Sequence, residues 1–108
     1  MRSTSEAPEE LPPLPAAVEV AVYRIAQEAL TNVVRHARAK SCIVRLAVDE
    51  NLVLDILDDG IGMPEEQTAG VGFVSMRERA AELGGTCVIK PVPEGGTQVS
   101  VGLPLSKE

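Results

Sequence analysis

Large rings are almost absent from this sequence: one Phe, one Tyr and no Trp leave aromatics at 2%. A core must therefore be built from Val, Leu, Ile and Ala, packed tightly rather than around bulky plates. Basic charge is also scarce, with 10 Lys and Arg against 16 Asp and Glu and a net charge of −6. That balance opposes attraction to DNA, RNA or an anionic membrane surface and argues against such partners. No apolar run approaches the roughly 20 residues that cross a bilayer, and the N-terminus lacks the apolar stretch of a secretory signal. A soluble, cytoplasmic domain is the expectation. The only cysteines, Cys42 and Cys87, lie in strand-like runs with no CxxC and no metal-ligand spacing. Buried free thiols in a reducing compartment are expected rather than a disulfide.

What is present suits one domain, since 44% of the 108 residues are hydrophobic, near the globular average. Residues 1–15 hold four of the eight prolines, three glutamates and few apolar groups, too little to offset the entropy of ordering. They read as a flexible tail or linker, residues 16–105 as the folded domain and 106–108 as a C-terminal tail. From Ala16 the spacing of Val22, Ile25, Ala26, Ala29 and Val33 predicts a helix, with no Pro or Gly before Ser41. Cys42, Val44, Leu46 and Val48 alternate on one face of a first strand, and Leu52, Leu54 and Ile56 on one face of a second. Asp49, Glu50 and Asn51 between them predict a hairpin. The irregular stretch from Asp58 to Gly72 reads as a long loop of the kind kept for function. Phe73, Met76, Ala80 and Leu83 then form a second helical stripe, closed by Gly84 and Gly85 as a left-handed stop. Residues 86–90 and 97–103 form a second hairpin around Pro93, Glu94, Gly95 and Gly96. Strands that arrive in pairs predict an α+β fold: a two-layer α/β sandwich whose mixed, mostly antiparallel sheet carries both helices on one face.

Two stretches carry chemistry. On the first helix Glu28, Asn32, Arg35 and His36 fall along one stripe at about 100° per residue. Asn32 and His36 stand at the border of the apolar face, where a polar side chain needs a partner. By themselves they fit an Asn and a His satisfied by nearby backbone better than they fit a site. The second stretch, Asp58-Asp59-Gly60-Ile61-Gly62-Met63, ends a strand with two acids and two glycines, and glycine lets backbone approach a ligand closely. A turn with solvated acids is the plain alternative. Asp55, Asp59, Gly60 and Glu66 also match four positions of a calcium loop, but Leu57 occupies a slot that needs an oxygen ligand. Gly70-Val71-Gly72 opens the second helix, and a helix start behind glycines can receive an anion.

In order, Gln27-Glu28-Ala29-Leu30-Thr31-Asn32-Val33-Val34-Arg35-His36-Ala37, then DDGIGM, GVGFVSMRER and Gly95-Gly96-Thr97 resemble the ATP-binding catalytic domain of bacterial sensor histidine kinases. More narrowly they are similar to the subgroup of the nitrate/nitrite sensors and the membrane-fluidity thermosensor. The wider superfamily includes type II topoisomerases, a heat-shock chaperone and mismatch-repair ATPases. The likeness runs from about Leu14 to Leu105. It implies the Bergerat-type ATP-binding fold and ATP with Mg²⁺ as ligands. Its partners would be the dimerisation domain that bears the phosphoacceptor histidine and, indirectly, a response regulator.

The resemblance also implies roles for single residues. Asn32 would hold Mg²⁺ through its amide oxygen, and Glu28 would orient a metal-bound water. Glu28 matches the hydrolytic base of the ATPase cousins, although in histidine kinases the base usually belongs to the helical domain. Arg35 and His36 would approach the phosphates. Asp58 would read adenine by accepting a hydrogen bond from its exocyclic amine, and Thr97 would help it hold a water. Gly60 and Gly62 would bring backbone beneath the base, and Gly70 and Gly72 would close the phosphate end beyond a short lid at about Pro64 to Ala69. Asp59 has no assigned role. The family usually has another strand before the Leu11-Pro15 stretch, where this chain offers only residues 1–12, so an exposed sheet edge is expected. The one histidine, His36, falls on an ATP-site position, and no phosphoacceptor is present. An ATP-hydrolysing switch, an anti-sigma-factor serine kinase and a non-catalytic nucleotide-binding module are the rival readings.

Overall fold

The computed structural model describes residues 2–7, 13–34, 40–60, 73–93 and 95–105. In chain order the elements are β1 (Arg2–Glu6), α1 (Ala16–Asn32), β2 (Ser41–Val48), β3 (Asn51–Asp58), α2 (Phe73–Glu82), β4 (Thr86–Pro91) and β5 (Thr97–Pro104). The strands form one sheet in the order β1-β2-β3-β5-β4. β1 runs parallel to β2 and every other pairing is antiparallel. The expected mixed sheet with paired strands is therefore present. The β2–β3 ladder closes at Val48↔Leu52, which leaves residues 49–51 as the turn that the sequence predicts.

Both helices cover one face of the sheet, because period 2 and period 3.6 collect the apolar side chains on matching surfaces. From the sheet come Cys42, Leu52, Leu54, Ile56, Cys87, Val99, Val101 and Leu103, all buried. From α1 come Val18, Ala21, Ile25 and Ala29, and from α2 come Phe73, Met76 and Ala80. Phe73 is the one ring in this core and is 1% exposed; the remainder is aliphatic, sulfur-bearing or small, as the composition requires. Helix α1 starts on Pro15, whose carbonyl accepts from the N–H groups of Val18 and Glu19 at 3.0 and 3.1 Å, and Glu19 places an acid in the first turn, where the helix dipole favours it. α2 ends in a Schellman motif: Gly84 has φ +77°, its N–H reaches the carbonyl of Ala81 at 2.9 Å, and that of Gly85 reaches Ala80 at 2.8 Å.

One expectation is overturned. Residues 2–6, read from the sequence as part of a flexible tail, form β1 and cover the edge of β2, which is therefore not exposed. Hydrophobic periodicity cannot see such a strand. Thr4, Ser5 and Glu6 are exposed, and β1 is held by its ladder and by Glu6, whose carboxylate meets the Arg45 guanidinium at 2.9 Å. A strand that buries no apolar face leaves no alternating pattern in the sequence.

Candidate functional site

Parity along two strands and the phase of one helix bring the site together. Asp58 ends β3 and continues the run Leu52, Leu54, Ile56 on the helix-facing side, so its carboxylate lies beneath α1 although the residue is polar. Thr97 starts β5 with the parity of Val99, Val101 and Leu103, and the β3–β5 register, which pairs Leu57 with Gln98, sets it beside Asp58. Asn32 falls on the buried stripe of α1, seven residues after Ile25. These are the three buried polar residues among those described: Asn32 at 8% exposure, Asp58 at 7% and Thr97 at 7%. They line one pocket together with Ala29, Val33, Phe73 and Val99. Polar groups from a helix and two strands thus converge in an otherwise apolar cleft, as ligand sites do.

Electrostatics separates the two adjacent acids. Burial pushes the Asp58 carboxyl up from the ordinary value, while backbone hydrogen bonds from Gly60 and Thr97 oppose the rise and the neighbouring Asp59 adds to it. The Gly60 N–H donates to Asp58 Oδ1 at 2.9 Å. Asp59 moves the other way, because the backbone N–H and hydroxyl of Ser41, with the N–H of Lys40, hold its carboxyl below the usual range. Those three donors lie 2.8 to 2.9 Å from the Asp59 oxygens. Cys42 pairs with Asp58 across the β2–β3 ladder, and burial, followed by the charges of Asp58 and Asp59, raises its thiol pKa. Cys42 and Cys87 are both free and buried, matching the expectation for the thiols.

Of the residues singled out in the sequence, Asn32, Asp58 and Thr97 meet in this pocket. Glu28 lies one turn before Asn32 on α1 and is half-buried. Gly60 follows the strand end and caps the Asp58 carboxylate. Arg35, His36, Gly62, Gly70, Gly72 and the lid lie outside the described residues. Sequence reasoning missed two features. The first is the Asp59 clamp on Lys40 and Ser41, which depends on how β2 and β3 end side by side. The second is Gly96, with φ +102°: a Cβ there would stand 1.9 Å from the Asp58 carbonyl oxygen and 3.1 Å from the Asp59 Cα. The β4–β5 turn is pressed against the backbone of the Asp58-Asp59-Gly60 motif. The glycine pair hinted at this contact, but only the register supplies its partner.

Among the described residues no group of three or more His, Cys, Asp or Glu could hold a metal ion by itself. No described helix is long and apolar enough to cross a membrane.

Comparison with known proteins agrees with this arrangement. The family model described as "Histidine kinase-, DNA gyrase B-, and HSP90-like ATPase" matches residues 17–107. The chain is 39% identical over 98 residues to the sensor protein VraS of Staphylococcus aureus (strain COL), covering 88% of this chain and 28% of that protein. The VraS protein of Staphylococcus epidermidis (strain ATCC 12228 / FDA PCI 1200) matches with the same identity and coverage. The chain thus spans just over a quarter of these relatives. The fold superposes on the blue-light activated histidine kinase of Erythrobacter litoralis EL346 with a TM-score of 0.83 at 24% identity, over 99% of this chain and 36% of that one. The histidine kinase domain of the same protein gives a TM-score of 0.76 over 96% of this chain and 51% of that chain. None of these relatives is a nitrate or nitrite sensor, so that narrower likeness remains an expectation of the sequence. With its matched span running from α1 through β5, this chain belongs to the family of histidine kinase-, DNA gyrase B- and HSP90-like ATPases.

Proposed function

We propose that this chain binds Mg-ATP and presents the γ-phosphate to a histidine carried by a separate dimerisation domain, within two-component signalling. The observation that carries the reading is the convergence of Asn32 and Asp58 from a helix end and a strand end on one pocket. Asp58, whose Oδ1 accepts from the Gly60 N–H, presents an acceptor carboxylate suited to the exocyclic amine of adenine. Thr97 lies beside it. The apolar walls Ala29, Val33, Phe73 and Val99 exclude water from the base.

Asn32 is the residue that would hold Mg²⁺. A hard cation that keeps several waters and takes further oxygens from phosphate needs few protein ligands, which agrees with a single amide in place of a carboxylate cluster. When bound, the ion neutralises charge that develops on the phosphates. Glu28, one turn back, would orient a water on that ion, while Arg35 and His36 would approach the phosphates and Gly62, Gly70 and Gly72 would admit them to the backbone. Residues 16–105 would form the binding unit, working in the cytoplasm where ATP is available. The dimerisation domain would be its direct partner and a response regulator its indirect one. The chain's task is positioning and charge neutralisation.

Titration calorimetry tests this reading. Mg-ATP should give a saturable heat that falls sharply with EDTA, and Asn32→Ala should lose the difference between the two conditions. Equal heats with and without EDTA would remove the metal from the reading.

A further inference from the structure

Asp59 has no part in the chemistry just described, yet its carboxylate accepts three hydrogen bonds: from Lys40 N at 2.8 Å, Ser41 N at 2.9 Å and Ser41 Oγ at 2.9 Å. Its own N–H returns a longer bond to Ser41 O at 3.3 Å. We propose that Asp59 is a positioning residue for base recognition: by pinning the backbone just beyond Asp58 to the start of β2, it fixes where the Asp58 carboxylate points.

The strand end makes such a device necessary. The β3 ladder reaches Asp58, opposite Cys42, and beyond it the chain leaves the sheet. The orientation of the Asp58 carboxylate depends on the Thr97 backbone and, within its own segment, on Gly60, whose N–H holds Oδ1 at 2.9 Å. Residue 59 is the only covalent link between Asp58 and Gly60. On the other side the Gly96 backbone leaves no room for so much as a methyl group against Asp58 and Asp59. The three-residue motif is thus gripped between the first residue of β2 and the β4–β5 turn. A carboxylate aimed by this grip meets one edge of a base at a defined angle, and a hydrogen bond weakens steeply as its angle departs from linear. Loosening the grip should therefore blur the distinction between an amine and a carbonyl at that edge.

The inference rests on the proposed adenine-reading role of Asp58, and its test separates the two. ATP and GTP are competed against a fluorescent ATP analogue on this chain, at a temperature where circular dichroism shows each variant folded. Wild type should prefer ATP by about fivefold or more. Asp59→Ala removes all three bonds and should bring the ratio down to about threefold or less. Asp59→Asn should restore it, because an amide oxygen still accepts from both backbone N–H groups and the amide nitrogen donates to Ser41 Oγ. Ser41→Ala removes one bond of the three and should lower the ratio part-way, which keeps the test available if Asp59→Ala does not fold. A folded Asp59→Ala with the wild-type ratio would overturn the positioning role. So would an Asp59→Asn that behaves like Asp59→Ala, since charge rather than geometry would then matter. A wild-type chain with no preference for ATP would overturn the role of Asp58 and this inference together.

Discussion

At the scale of single residues, two neighbouring carboxylates are driven apart by their surroundings. Asp58 is buried and its pKa is raised; Asp59 is exposed, triply hydrogen-bonded and its pKa is lowered. An ionised carboxylate only accepts hydrogen bonds, so it matches the amine of adenine and opposes the carbonyl of guanine at the same edge. An unmatched buried acceptor costs roughly 1–3 kcal/mol, so ATP should bind about fivefold to somewhat over a hundredfold more tightly than GTP. Asp58→Asn can turn either a donor or an acceptor to the base and should lose both ATP affinity and most of that preference, whereas Asp59→Asn should lose neither. The reverse outcome in competition binding would shift the motif by one residue. Acid should separate the two groups as well. With its pKa raised, Asp58 gains a proton as pH falls through a value above the ordinary aspartate range of about 3.9, and base preference goes with it. With its pKa lowered, the Asp59 contribution to stability is complete above that range and is lost only as pH falls through the depressed value. Selectivity should therefore fade on acidification before the clamp does. Competition binding and circular dichroism over one pH series would check the order, and a loss of preference that merely tracks unfolding would contradict it.

At the scale of elements, three glycines have distinct duties, and alanine should tell them apart. Gly84 has φ +77° and room for an added Cβ, which would make only an ordinary contact with Pro104 Cγ at 3.7 Å. Gly84→Ala should cost about 1–2 kcal/mol for the left-handed conformation and leave nucleotide affinity unchanged. Gly85 lacks a positive φ, but its Cβ would stand 2.1 Å from the Gly102 carbonyl oxygen, so Gly85→Ala should force the α2–β4 connection away from β5. Gly96 combines a positive φ with the contact on Asp58. Gly96→Ala alone should lower melting temperature and weaken ATP together, as thermal melts and calorimetry on the three variants would show; equal ATP affinity for Gly84→Ala and Gly96→Ala would sink the claim that the turn supports the site. These duties also show what the sequence made legible. Ile25 and Leu54 announced α1 and β3 through period, the turn residues from Pro93 to Gly96 announced the hairpin that holds β5, and Gly84 announced the end of α2. The strand β1 was illegible because Thr4, Ser5 and Glu6 bury nothing, and the contacts of Asp59 and Gly96 because each depends on which strands become neighbours. Asn32, Asp58 and Thr97 were legible through motif likeness; their convergence required the register.

At the scale of the whole molecule, the proposed function puts the pocket and the phosphate acceptor on different pieces. The one histidine in the sequence is His36, which the motif likeness assigns to the ATP site rather than to phosphate acceptance. A nucleotide site with no acceptor of its own can hold ATP but has nowhere to send the phosphoryl group. Incubated with γ-labelled ATP, this chain alone should acquire no acid-labile, base-stable phosphate. Adding the dimerisation domain of its own kinase should place label on that domain, and only when its acceptor histidine is intact. Supplied as a free partner, that domain meets the pocket at its bulk concentration; joined by a short linker, it meets it at an effective concentration of order millimolar. Labelling should therefore rise with added domain at micromolar levels and be faster in a fused protein, with no change in ATP affinity for either. Asn32→Ala and Asp58→Asn should abolish transfer in both formats, since neither has ATP correctly placed. Stable label on His36 in the isolated chain would contradict the division of labour, and label on serine of an added protein would instead support the serine-kinase branch of the superfamily.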